Sequence, residues 1–97
     1  MRLRYLDDAL ANLETIHSYL IERNLAAARR VIGDIRAAAE RLREFPYMGR
    51  IGTRIGTHEW IVRGSPYLIV YEVDEAAAEI RVLAVFHAAQ DWQEQMK

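Results

Sequence analysis

The chain of 97 residues has no cysteine, and its single lysine is Lys97. Without cysteine there are no disulfides, no thiolate metal sites and no sulfur nucleophile, which suits a reducing compartment. Neither sign of charge prevails: 13 Lys+Arg face 14 Asp+Glu, the net charge is -1 and the pI is about 6.3. No global field is present to hold a polyanion, so strong direct nucleic-acid binding is not expected. His17, His58 and His87 are too scattered to suggest a metal site, and no motif asks for a cofactor, so none of either is expected. No apolar run reaches the 18 residues of a membrane span. The opening "MRLRYLDDAL" puts acidic residues where a signal peptide needs its apolar stretch, so a cytoplasmic protein is expected. The length suits one core, and residues 1–97 read as a single domain with no internal repeat, low-complexity tract or linker.

What is present is a clear alternation of periods. "RLRY", Arg2 to Tyr5, alternates charge and apolarity like a short edge strand, and Asp7 suits a helix N-cap, with Asp8 in the first turn. Leu6, Leu10, Leu13, Ile16 and Leu20 then follow helical spacing to about Arg23. Asn24 can end this helix and cap a second, in which Ala28, Val31, Ile35, Ala38, Leu42 and Phe45 recur every three or four residues. The spacing predicts an antiparallel helical hairpin. Pro46 closes it, and "PYMGRIGTRIGTHEW" reads as a glycine-bearing loop that its own packing must order. "HEWIV", "YLIVYEV" and "IRVLAVFH" come next, joined by connections short enough to force an antiparallel meander. The fold class expected is α+β, in the order β-α-α-β-β-β.

In strict alternation Tyr67, Ile69, Tyr71 and Val73 share one face of their strand, and Leu68 and Val70 share the other. In the last strand Ile80, Val82, Ala84 and Phe86 oppose Leu83, Val85 and His87. Both faces are apolar, yet one hairpin covers only one. A docking surface for another chain is therefore expected on the second face, with Leu68, Val70, Leu83 and Val85 as its contacts.

Pro46 with Gly49 and Arg50, Glu59 opening a strand, Pro66-Tyr67 with Tyr71, and His87 followed by Asp91-Trp92 occur in this order along the chain. Together they resemble the ParE/RelE superfamily of toxins from bacterial type II toxin-antitoxin systems, over essentially the whole length. The resemblance implies a cytoplasmic toxin neutralised by a ParD-like antitoxin from an adjacent gene, in a hetero-oligomer. It also implies one of two activities, poisoning of DNA gyrase or cleavage of mRNA in the ribosomal A site.

RNA cleavage without metal needs a base, an acid and cations for the extra phosphate charge. Glu59, His87 and Arg63 are the residues that would serve as base, acid and phosphate clamp. Lys97 is the only lysine, while Leu68 and Ala88 stand where RelE-like members usually carry arginine. The tail after His87 is closer to ParE, although Gln90 stands where arginine is frequent. This favours ParE, gyrase as target, and inhibition by binding over catalysis. A ribonuclease and an inactive interaction module remain as alternatives. No catalytic residue is assigned outright, and Arg50, Arg63, His87 and Trp92 are the candidates for target contact. Each has a structural alternative: a solvated loop or turn for the arginines, a hydrogen-bonded strand end for His87, a core seal for Trp92.

Overall fold

The computed structural model describes residues 1–89. They form β1 (Arg2–Tyr5), α1 (Asp7–Ile21), α2 (Leu25–Glu44), β2 (Arg50–Ile51), β3 (His58–Ile61), β4 (Tyr67–Asp74) and β5 (Glu79–His87). The strands make one mixed sheet in the order β1-β5-β4-β3-β2, with β1 parallel to β5 and every other pair antiparallel. The α+β architecture, the edge position of the first strand and the meander agree with the sequence reading.

Helix α1 starts one residue earlier than its acidic pair suggests. The Leu6 N–H bonds to the Val82 carbonyl at 2.9 Å, which keeps Leu6 extended as the last residue beside β5. Leu6 is therefore the N-cap, with no side-chain cap, and Asp7 joins Asp8 in the first turn, where negative charge favours exposed amides. Ala9, Leu13 and Ile16 form the buried stripe, while Leu10 faces outward. Asn24 does both jobs expected of it. Its N–H bonds to Leu20 O at 2.8 Å, and its Oδ1 accepts from Ala27 N at 3.0 Å. Along α2 the buried positions are Ala28, Val31, Ile35, Ala39 and Leu42. Ala39, not Ala38, is the one fully inside, and Phe45, the C-cap, is half exposed.

Both helices cover the sheet face that carries Trp60, Ile69, Tyr71, Ile80 and Val82. Strict alternation fails once, and the failure matters. Val70 pairs with Ala84 but Tyr71 pairs with Val82, so Leu83 is an extra residue in β5. This bulge moves the remainder of β5 to the opposite phase. Val85 consequently turns toward the helices and enters the main core, whereas Ala84 and Phe86 join Leu68 and Val70 in a second cluster. The expectation that Val85 shares a face with Leu68 and Val70 is thus corrected. So is the expectation of an open apolar face: Leu68, Val70, Ala84 and Phe86 are only 0 to 5 % exposed, with Leu83 half-buried beside them. The far end of that face is charged. Arg81 contacts Glu72 at 2.8 Å, Asp74 at 2.9 Å and Glu79 at 3.2 Å, and Glu79 also meets Arg4 at 3.2 Å.

The glycine-bearing loop is partly a strand. β2, absent from the sequence reading, is held by Tyr71, whose hydroxyl donates to Pro46 O at 2.7 Å and accepts from Gly49 N at 3.1 Å. A β-carbon on Gly49 would lie 2.6 Å from that hydroxyl oxygen and 2.8 Å from Glu59 O, so only glycine fits there. Burial pushes the Tyr71 phenol above its ordinary pKa, which keeps the hydroxyl a donor at neutral pH. Tyr71→Phe leaves the buried Gly49 N–H without this partner. It should destabilise the fold by about 1–3 kcal/mol in urea titration, and hydrogen exchange should rise over residues 46–57 more than in the helices.

Asp74 accepts from Ala77 N at 3.0 Å and meets Arg81, and these contacts hold its carboxyl below its ordinary value of 3.8. A carboxyl depressed in the folded state stabilises above its unfolded value and stops doing so as pH falls through its folded value. The stability gap between wild type and Asp74→Asn should be full at neutral pH, shrink below about pH 3.8 and vanish in stronger acid. Paired urea midpoints across that range measure it.

Candidate functional site

The sheet register separates Glu59 from the other two members of the hypothetical nuclease set. Glu59 pairs with Val70 and His87 pairs with Tyr67, three positions apart along β4 and on opposite faces. Three residues of strand span roughly 10 Å, before the thickness of the sheet is added. Glu59 is also committed locally. Only 4 % exposed, its Oε1 accepts from Arg50 Nη2 at 2.9 Å and Nε at 3.2 Å, and its Oε2 lies 3.4 Å from Thr53 N. A carboxylate satisfied in this way braces β2 against β3 and has no path to a substrate shared with His87.

Arg63 and His87, by contrast, share one end of the sheet. Val62 N bonds to Tyr67 O at 2.9 Å, and Ala88 N to Pro66 O at 2.6 Å, so β3 and β5 end on either side of the first residue of β4. Two strand spacings, about 10 Å, separate their backbones. Each opens on a shallow groove beside a helix. On the α1 side, Asn12, Thr15, Tyr19, Tyr67 and His87 line a space of about 350 Å³. On the α2 side, Asp34, Arg41, Trp60 and Arg63 line one of about 380 Å³. His87 is exposed, its ring stands edge-on to Tyr67 at 5.6 Å, and its Nδ1 accepts from Ala89 N at 3.1 Å. Arg63 makes no ion pair among the described residues, so its guanidinium is available to an acidic or phosphate-bearing partner.

Arg50 lies elsewhere, at the outer edge of the sheet, tied to Glu59 by one side of its guanidinium while its side chain stays mostly exposed. The target-contact candidates therefore fall into a pair and an outlier. Trp92, the fourth candidate, lies outside the described residues. Of the four candidates for antitoxin contact, Leu68, Val70 and Leu83 share the second face and Val85 does not.

Sequence reasoning missed three working residues. Asn12 Oδ1 accepts from Val85 N at 3.0 Å and satisfies the β5 edge where β1 has already turned into α1. A polar residue between Ala9 and Leu13 is the only signal for it. His58 lies between Tyr71, stacked at 5.5 Å, and Tyr47, edge-on at 5.5 Å, and its buried Nδ1 has no partner among the described residues. Tyr47 in turn donates to Glu75, a bond that raises the phenol pKa most, with desolvation adding to it. Among the described residues no cluster of three His, Asp or Glu could hold a metal ion, and no helix is long and apolar enough to cross a membrane.

With this geometry in hand, the similarities to known proteins are informative. Residues 3–92 match the family described as ParE toxin of type II toxin-antitoxin system, parDE. The toxin-class protein Y4kP of Sinorhizobium fredii is 34 % identical over 91 residues, which are 94 % of this chain and 92 % of that protein. Toxin RelE2 of Caulobacter vibrioides is 33 % identical over 81 residues, 84 % of this chain and 88 % of that one. In structure, the chromosomal ParDE TA system from P. aeruginosa superposes with a TM-score of 0.80 at 20 % identity, over 90 % of this chain and 95 % of that one. The helical hairpin on a mixed sheet is the fold these toxins share, and the chain belongs to the ParE toxin family of type II toxin-antitoxin systems.

Proposed function

We propose that this toxin acts by binding, that its target is DNA gyrase, and that a ParD-like antitoxin encoded beside it silences it by direct contact. The observation that carries the choice of binding over RNA cleavage is the placement of Glu59. Glu59, the one buried carboxylate among the described residues, faces away from His87 and is held by Arg50. The membership in a ParE family, and the scarcity of cations other than arginine, support the same reading. Arg63, His87 and Trp92 are the proposed contacts with the target, and Arg50 serves the structure.

Three measurements test this. Purified toxin should abolish gyrase supercoiling or trap its cleavage complex, and should leave mRNA on programmed ribosomes uncut; codon-specific cuts within minutes would establish the nuclease instead. Glu59→Gln distinguishes the two at residue level. It should cost about 1–3 kcal/mol of stability through the weakened Arg50 contact while the folded protein keeps its toxicity, whereas loss of a general base would abolish activity at little structural cost.

For the antitoxin, the proposed contact is the apolar half of the second face, where Ile61 is half exposed next to Leu68, and Leu83 packs against the cluster of Leu68, Val70, Ala84 and Phe86. A permanent complex of this kind buries on the order of 1,000 Å² per partner. Hydrogen exchange with and without the neighbouring gene product should show added protection across residues 67–87. Unchanged exchange there, in a complex shown to form, would move the contact to another surface.

A further inference from the structure

The loop before β3 contains a duplication that the reading of the chain as free of repeats passed over: Arg50-Ile51-Gly52-Thr53 is followed at once by Arg54-Ile55-Gly56-Thr57. In the structure the first copy is β2, with Arg50 opposite Glu59 and Ile51 opposite His58, and the second copy is the turn. We propose that β2 has a second register, four residues along, in which Arg54 and Ile55 take the places of Arg50 and Ile51.

A shift of four residues is even, so every side chain keeps its face, and the duplication makes both paired residues, Arg50 and Ile51, identical to their replacements. Glu59 would again face an arginine and His58 an isoleucine. The new connection, Gly56-Thr57 between Ile55 and His58, is a two-residue hairpin with glycine first, the arrangement a type II′ turn requires. Gly56 already has φ +82, and a β-carbon there would meet nothing within 4 Å. The residues that would change places are ready to move. Ile55 is 103 % exposed, and Arg54 makes no ion pair among the described residues.

The observed register is held by bonds that the shift breaks, Gly52 N to Thr57 O at 2.8 Å and Thr57 Oγ1 to Arg54 O at 2.7 Å, and above all by Gly49. The residue before the paired arginine sits where a β-carbon would approach Tyr71 Oη and Glu59 O to 2.6 and 2.8 Å. In the first register that residue is Gly49. In the second it would be Thr53, which has a β-carbon. The edge is thus a two-state element biased by one methine carbon, and contact with the protruding loop by a partner can select between its states.

Thr53→Gly removes the steric part of the bias without touching the core. Nuclear magnetic resonance of the full chain should show one set of signals for residues 50–59 in the wild type. In Thr53→Gly a second set should appear in at least about one molecule in ten, with Arg54 opposite Glu59 and the Gly52 N–H unprotected. In Arg50→Ala/Thr53→Gly the second set should dominate, because only the shifted strand gives Glu59 an arginine. A second set in either variant, with the 54-to-59 pairing, supports the proposal. Position 50 remaining opposite Glu59 in both variants overturns it.

Discussion

One hydroxyl group organises the outer half of this toxin. Tyr71 rises from β4, the middle strand of the sheet, and its oxygen bonds to the chain at Pro46 and at Gly49. The end of α2 and the start of β2 are therefore fixed to the sheet through a single atom. The position of Gly49 sets Arg50 against Glu59, and that pair fixes the edge strand. Because the site is buried, both bonds act in surroundings where losing either leaves a polar group without water. A loop of glycines thereby becomes ordered, although its own sequence has weak preference for any one conformation.

The sheet has two unlike faces, and the second is itself divided. Under the helices it is apolar from β3 to β5. On the other side, one end carries Arg4, Glu72, Asp74, Glu79 and Arg81 in mutual contact, and the other carries the small cluster of Leu68, Val70, Ala84 and Phe86. Arg81, meeting three carboxylates, has its pKa raised further and stays charged throughout. A chain with almost no net charge thus holds its ions in local sets of opposite sign, and the charged end confines the apolar surface of that face to the half near Ile61 and Leu83.

Much of this was legible in the residues. The two helices, the turn at Asn24 and four of the strands follow from periods of 3.6 and 2, which these elements carry in their own residues. β2 did not show because two residues carry no period at all. The N-cap was placed one residue late because Leu6 obeys a hydrogen bond to β5, which is a contact across 76 residues and has no local mark. The same holds for the site. Chain order could propose Glu59, Arg63 and His87 together, but only strand register shows that Glu59 and His87 face opposite ways. The bond from Val85 N to Asn12 was invisible for a related reason: it repairs a gap that exists only once β1 has ended.

The extra residue at Leu83 gives β5 a property that substitution cannot reach. Upstream of it, even-numbered positions such as Ile80 and Val82 face the helices; downstream, odd-numbered Val85 and His87 do. Removing Leu83 would abolish the bulge and leave plain alternation, with Val85 and His87 still opposite Ile69 and Tyr67 on the helix side and Ala84 and Phe86 still facing away, whereas a residue gained or lost beyond Ala84 would reverse the faces of those that follow it. Any replacement at 83 leaves that count intact. For lineages descending from this chain, length beyond the bulge is therefore under tighter restraint than composition: the bulge itself can be lost, but an insertion or deletion after Ala84 would have to be answered by a second one before His87.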